Sequence, residues 1–344
     1  MMMHELLFSN YILATVIVVN LLLNNFTHSE EIEEIIGESK QYENLNSSDL
    51  ISNRGYTIDD CTCVCGKSNE YENGGIVGGI PSIPGEFPWT VALLRDDKFF
   101  CGGTLITRFH VLTAAHCLES VSPEEITVVL GEYDRTNPTE TNTEVRNLVS
   151  GIQHDNFELT TFDNDIGLLE LDSSVDFTPN IRAACLPNVG DDKHYVGRKA
   201  VVVGWGRVKE EGRLSNVLRK VELPILTKST CLSIAGSDEI TNNMICTGYP
   251  EGRKDACTGD SGGPIHLDGK VIGIVSWGEG CARPNTPGVF TKVLNYLDWI
   301  KSHIGEQCLC PPSERGKRKM RLPGHQRRNS FHHSLHRPFR YNTK

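Results

Sequence analysis

Apolar positions along this chain gather in short runs rather than in helical stripes. From Ile76 onward come WTVALL (89–94), GGTLIT (102–107), HVLTAA (110–115), ITVVLG (126–131), IGLLEL (166–171), AVVVGWG (200–206), KVELPIL (220–226), PIHL (264–267), KVIGIVSWG (270–278) and GVFTKV (288–293), separated by turn residues. Many short strands with no helical pattern between them predict an all-β sandwich or barrel, not alternating βα units. Near the end the period changes. In VLNYLDWIKSHIGEQ, residues Val293, Leu294, Leu297, Ile300 and Ile304 share one helical face, which predicts an amphipathic closing helix running out near Gly305. Pro311-Pro312 then ends ordered structure.

The N-terminal pattern is different. Residues 11–23, YILATVIVVNLLL, form a 13-residue apolar run interrupted only by Asn20. A membrane span needs roughly 20 such residues, so the run reads as the core of a removable signal. The flank MMMHELLFSN lacks Lys and Arg, and Thr27 and Ser29 put small residues before a cut at Glu30. An uncleaved, membrane-anchoring signal is the alternative. The expected organisation is a signal at 1–29, a largely irregular acidic pro-segment at 30–75, a folded domain at 76–306 and an unfolded basic tail at 307–344.

Charge and cysteine sharpen this outline. The net charge of −10 conceals segregation, with nine acids and two bases in residues 30–60 against ten Lys or Arg and one Glu in 311–344. Neither end has the apolar periodicity to fold alone. Twelve cysteines are too many for a reduced cytosolic enzyme, so an oxidising compartment is expected. Cys61, Cys63 and Cys65 crowd together, but no CxxC pair with matching partners supports zinc. The 32 glycines and 16 prolines suit a turn-rich β protein.

Candidate chemistry lies in three places. TAAHC (113–117) sets His116 after small residues, and GDSGGP (259–264) sets Ser261 in a glycine-rich turn whose N–H groups can approach a reacting carbonyl. NDIGLLEL (164–171) puts Asp165 at the entrance of an apolar strand. Each has a bland use alone, as a structural histidine, a turn serine or a strand-entry cap. Together they suggest a base, a nucleophile and a group that orients the base.

These motifs, in the order His, Asp, Ser, resemble the trypsin/chymotrypsin family of serine endopeptidases. So do IVGG (76–79), CGGTLI (101–106), GWG (204–206), SWGEGC (276–281) and PGVFTKV (287–293), so that the resemblance spans Ile76 to about Ile304. It implies a fold of two packed antiparallel six-stranded barrels with a C-terminal helix. It implies catalysis by His116, Asp165 and Ser261, with the N–H groups of Gly259 and Ser261 as the oxyanion hole. Asp255, six residues before the nucleophile, falls at the floor of the primary pocket of trypsin-type members, where it selects Arg or Lys. Gly278 and Gly288 fall on the pocket walls, and Ser276, Trp277 and Gly278 on the segment that pairs with substrate backbone. Thr258 replaces a commoner Gln at the rim.

The resemblance also accounts for GGIVGG (74–79) in mid-chain. In this family the precursor is cut before the Ile, and the freed amine, here that of Ile76, turns inward to Asp260. Most relatives carry Arg or Lys before the cut; this chain has Gly75, and its nearest base upstream is Lys67. Three readings follow: an activating protease of different specificity, a cut near Lys67 followed by trimming, or a loss of activation. The resemblance pairs Cys101 with Cys117, Cys231 with Cys246, Cys257 with Cys281 and Cys65 with Cys185. The equal spacing of CTC (61–63) and CLC (308–310) suggests that they bridge the pro-segment to the end of the closing helix. Protein substrates and protein inhibitors are the implied partners, and nucleic acid is not. The basic tail offers a site for polyanions, or for the acidic segment. No cofactor is implied, although Glu132, Asp134, Glu140 and Glu144 crowd a loop that holds calcium in some relatives. Asn46-Ser47-Ser48 is a glycosylation sequon. The expectation is a secreted serine endopeptidase zymogen; the rival is a non-catalytic homologue serving as a polyanion- or protein-binding module.

Overall fold

A computed structural model describes residues 63–69 and 79–311, apart from 138, 140, 141, 236–239, 253, 254, 306 and 308. The apolar run 11–23, the acidic segment 30–60, the Asn46 sequon, the Gly75–Ile76 bond, Cys61, Cys308, Glu140 and the tail from Pro312 lie outside the described residues.

The apolar runs become strands. The first half holds β1 (Ile80–Pro81), β2 (Thr90–Arg95), β3 (Lys98–Leu105), β4 (His110–Thr113), β5 (Ile126–Leu130), β6 (Glu144–Arg146), β7 (Leu148–Gln153) and β8 (Gly167–Leu171). The second holds β9 (Lys199–Gly204), β10 (Arg219–Pro224), β11 (Met244–Thr247), β12 (Pro264–Leu267), β13 (Lys270–Trp277) and β14 (Gly288–Lys292), with helices α1 (Lys228–Ala235) and α2 (Leu297–Ile304). Two antiparallel sheets result, ordered β6-β5-β2-β3-β4-β8-β7 and β1-β10-β9-β12-β13-β14-β11. Each has seven strands where six were expected. In the second sheet the Thr247–Ile225 bridge brings β11 back beside the end of β10, so six strands make the ring and the two-residue β1 hangs outside it. In the first, the extra member is the three-residue β6 on β5.

Each sheet buries its own apolar face. Leu93, Leu105, Leu112, Leu168 and Leu169 fill the first core, and Val202, Leu223, Ile265, Ile272 and Phe290 the second. A third cluster, with Ala92, Phe99 and Val129 from the first sheet and Val203, Trp205 and Leu218 from the second half, joins the two. The closing helix also reaches across. Val293, Tyr296, Ile300 and Ile304 pack into the first core although they follow the second sheet. Its first turn, Val293–Tyr296, is a 3₁₀ helix, in which residues three apart eclipse. Tyr296 therefore takes the buried position expected of Leu294, which stays half-buried.

The turn carrying Ser261 is clasped between the sheets. Gly102 N–H donates to Ser261 O at 2.7 Å from β3, and Gly262 N–H to Val275 O at 2.9 Å on β13. A Cβ on Gly102 would stand 3.0 Å from Gly263 Cα and 3.1 Å from its nitrogen, backbone that cannot swing away. Gly102→Val is therefore expected to lower stability by about 2–3 kcal/mol through overpacking. Denaturant unfolding of the full chain measures this.

Candidate active site

His116 leaves β4 on a 3₁₀ turn, Ala115–Leu118, that swings its ring over a cavity of about 260 Å³. Two donors of this one residue meet one carboxylate: the backbone N–H and ring Nδ1 lie 2.9 and 2.8 Å from Asp165 Oδ1 and Oδ2. Asp165 has no exposure to solvent. Ser276 Oγ–H donates to its Oδ2 at 2.5 Å, and Thr291 Oγ–H holds its backbone carbonyl at 2.6 Å. An anion so placed is affordable because three donors replace its water. With Nδ1 donating to the acid, Nε2 is left as the acceptor, on the ring that faces the cavity.

Ser261 and His116 line the same cavity, together with Asp255, Thr258, Ser276, Trp277, Gly278 and Gly288. The structure thus gathers in one place the residues that the sequence singled out for substrate contact. Gly259, in the turn with φ +98°, adjoins the pair Asp260-Ser261. A Cβ on Gly288 would fall 2.6 Å from Asp255 Oδ1, so a side chain there would displace the carboxyl at the cavity floor. A Cβ on Gly278 would meet nothing closer than 3.8 Å, so glycine at that wall leaves space for an incoming group.

Asp255 and Asp260 are the two carboxyls among the described residues that burial raises. Burial pushes the Asp255 carboxyl up to about 7, against the N–H groups of Ala282 and Ala256, which favour its anion. Burial likewise pushes Asp260 up to about 6, opposed by the N–H groups of Cys257 and Gly206 at 2.9 and 2.8 Å. Asp260 lines a second cavity, of about 280 Å³, whose wall includes Gly79 and Arg219. A Cβ on Gly204 or Gly206 would strike the Asp260 carboxyl at 2.2 and 2.4 Å, which explains both glycines of GWG.

Other residues of this region escaped the sequence reading. Phe162, at φ +56°, sets its ring edge-to-face on His116 with centroids 5.5 Å apart. The two residues before Asp165 are tied from afar: Thr241 Oγ1 and Asn243 Nδ2 donate to Asp163 Oδ1 at 2.6 and 3.1 Å, and Tyr296 Oη to Asn164 Oδ1 at 3.0 Å. NDIG was the local signal; its clamps lie 78 to 132 residues away along the chain.

Among the described residues five disulfides are formed: Cys101–Cys117 beside His116, Cys257–Cys281 beside the Ser261 turn, Cys231–Cys246, Cys65–Cys185, and Cys63–Cys310. The sulfurs of Cys101 and Cys117 cluster with His116, but their bridge uses them. Glu132 accepts the N–H of Tyr133, Asp134 the N–H and hydroxyl of Thr136, and Glu144 pairs with Arg146. These three acids form no ligand cluster among the described residues.

The comparisons with known proteins agree with this geometry. The family model described as Trypsin matches residues 76–300. Trypsin-1 of Astacus astacus is 38% identical over 239 residues, covering 66% of this chain and 99% of that protein. Serine protease filzig of Drosophila melanogaster is 40% identical over 258 residues, 70% of this chain but 15% of its own length. The suppressor of tumorigenicity 14 protein homolog of Bos taurus is 38% identical over 253 residues, 70% of this chain and 29% of its own.

An acid raised to about 7 at a cavity floor is neutral below that pH and anionic above it. Binding of benzamidinium, a flat aromatic cation, is therefore expected to weaken about tenfold for each pH unit below 7. Isothermal titration across that range measures it, and Asp255→Asn removes both the affinity and the slope.

Proposed function

The chain belongs to the trypsin family of serine endopeptidases, and from that premise we propose that it is a zymogen whose cut form cleaves peptide bonds after Arg or Lys. Proteases of this family need no cofactor. The observation that carries the reading is the shared cavity: His116, oriented by a buried acid 2.8 Å behind it, and Ser261 stand at one side of a pocket floored by Asp255.

In this reading the scissile carbonyl lies against Ser261 and the substrate's cationic side chain descends to Asp255. His116 Nε2 takes the Ser261 proton as Oγ bonds to the carbonyl carbon. The oxygen, now negative, receives the N–H groups of Gly259 and Ser261, each worth about 10²–10³ in rate. His116 then gives its proton to the departing amine, leaving an acyl-serine that water hydrolyses by the same steps in reverse. Asp165 keeps the imidazole in the right tautomer and stabilises its cation. A deep carboxylate is costly until a cation meets it, which makes Asp255 a selector for Arg and Lys.

The second cavity supports the on-switch. Gly79 stands at its wall, three residues after Ile76, a contour of roughly 10 Å. A cut before Ile76 would create an ammonium group within that contour of Gly79, on the wall of a cavity that also holds a carboxyl that burial keeps at about 6. The pair forms where the carboxyl is ionised and the amine protonated, a window that begins near pH 6 and closes on the alkaline side as the amine loses its proton. Pairing lowers the first pKa and raises the second, so it widens that window.

The proposed organisation is a signal at 1–29, a pro-segment at 30–75 retained through Cys65–Cys185, the peptidase domain at 76–306 and the basic tail at 307–344. A regulatory extracellular role follows, with protein inhibitors and an activator able to cut beside glycine as partners, and the tail as a polyanion contact. Among the described residues no helix is long and apolar enough to cross a membrane.

Full-length protein cut to expose Ile76 is expected to hydrolyse Arg and Lys anilide substrates. Ser261→Ala should remove on the order of 10⁶ of kcat, and Asp260→Asn should return the nicked form to the rate of the precursor. A precursor as fast as the nicked form would refute the switch, and no hydrolysis from either would favour the binding-module reading.

A further inference from the structure

A further recess of the domain carries charge that the catalytic residues do not use. It is a groove of about 340 Å³, walled by Val64, Lys67, Arg108, Phe177, Pro179 and Arg182. Arg108 lies two residues before β4 and His116 three residues after it, so the groove and the catalytic cavity stand at opposite ends of that strand. One wall of the groove is firmly fixed. Gly66 N–H donates to Ala183 O at 2.9 Å, and the bridges Cys63–Cys310 and Cys65–Cys185 tie down both neighbours of Val64.

The groove is cationic. The Arg108 guanidinium lies 4.7 Å over the Phe177 ring and has one carboxylate partner, the exposed Asp176, at 3.1 Å. Its Nε is buried and has no hydrogen-bond partner. Arg182 is half-buried and held by carbonyls, Thr178 O at 2.9 Å and Lys67 O at 3.5 Å; burial lowers its pKa, and no carboxylate opposes that. Arg198 shows the contrast, since its pairing with Asp268 raises its pKa. Lys67 is exposed, and among the described residues no ion pair includes Lys67 or Arg182. Three cations thus share one carboxylate. A cation withdrawn from water without a partner is costly, and an incoming anion would relieve that cost here.

Shape and chemistry select among anions. A guanidinium offers its donors as a planar fork that suits the oxygens of a sulfate or a carboxylate. An extended peptide gains much of its affinity from main-chain hydrogen bonds to a sheet edge. No residue lining the groove belongs to a strand, so an acidic peptide would find no edge to extend. A sulfate ester needs none, because each of its terminal oxygens can accept from a different cation. The C–H faces of a sugar ring also suit the exposed apolar rim that Val64 and Pro179 provide.

We propose that this groove is a binding site for a sulfated polysaccharide, whose sulfate esters are held by Lys67, Arg108 and Arg182. The inference is independent of the catalytic reading, and the site is formed without the basic tail. Because the groove and the catalytic cavity lie at opposite ends of β4, the protein can be held on such a polymer with its cavity open to substrate.

The test is phenylglyoxal labelling of the full-length chain, read at each arginine by peptide mass spectrometry, with the sulfated disaccharide sucrose octasulfate as the probe. At low salt the probe is expected to slow labelling of Arg182 several-fold and to leave Arg198, paired with Asp268 at another recess, unaffected. Protection should vanish at about 1 M salt, where the Debye length is only about 3 Å. Lys67→Gln, a change at an exposed side chain, should raise the probe concentration needed for half-protection about threefold. No protection of Arg182, protection that Arg198 shares, or protection unchanged by Lys67→Gln overturns the proposal. So does equal protection by an octaglutamate peptide, which would make the site one for acidic proteins. Loss of protection in a full-length variant with the bases at 315–321 changed to Gln also overturns it, since the tail would then be what draws the probe.

Discussion

Taking the Asp165 carboxylate out of water costs several kcal/mol, and much of the architecture around the site supplies the donors that offset it. Ser276 comes from β13 and the His116 N–H from the turn after β4, so both sheets must be in place before the anion is satisfied, while Thr291 of β14 holds the backbone carbonyl of the same residue. The histidine ring is oriented as a by-product of that solution, because its Nδ1 is one of the donors. The same logic explains why the closing helix crosses to the first core. Tyr296 in its first turn fastens Asn164, the neighbour of the buried acid.

Asp255 and Asp260 show the opposite treatment. Each is buried with only two backbone N–H groups, and burial holds the first near 7 and the second near 6. Their carboxyls are left to be completed by cations from elsewhere, the substrate for one and the new N-terminus for the other in the reading proposed above. The two are also linked, since the Asp260 charge is among the causes that raise Asp255. In that reading, an ammonium group beside Asp260 offsets this charge and so favours ionisation of Asp255.

Local motifs were legible because their physics is local. The apolar runs became strands, and GWG needs its glycines for the Asp260 carboxyl. Strand β7 went unread because only one of its six residues is buried, and β11 because four buried residues, MICT, carry no period. The family resemblance supplied the fold but gave six strands per sheet. The seventh in each is only two or three residues long, too short for an apolar pattern. The Thr241, Asn243 and Tyr296 clamps on Asp163 and Asn164 were invisible for another reason. Hydrogen bonds between polar side chains far apart in sequence leave no periodic trace, and out of context each residue reads as surface or turn. Ser276 was read for its backbone, whereas its hydroxyl lies on Asp165. The equal spacing of CTC and CLC did carry long-range information, since Cys63 and Cys310 are joined across 247 residues.

That bridge changes what a cut in the chain can do. A pro-segment joined only by peptide bond would diffuse away on cleavage and leave the domain with its own surface. Here Cys65–Cys185 and Cys63–Cys310 keep the residues before Gly66 fixed to the domain whatever happens between Lys67 and Ile76. In the proposed reading, cleavage before Ile76 liberates an N-terminus near the Asp260 cavity while residues 63–66 stay bridged to the domain. Trimming from Lys67 toward Ile76 is equally compatible with the bridges, because both anchoring cysteines lie upstream of Lys67. In the proposed reading, the glycines before Ile76 decide which protease can act, while the disulfides make the outcome the same by either route.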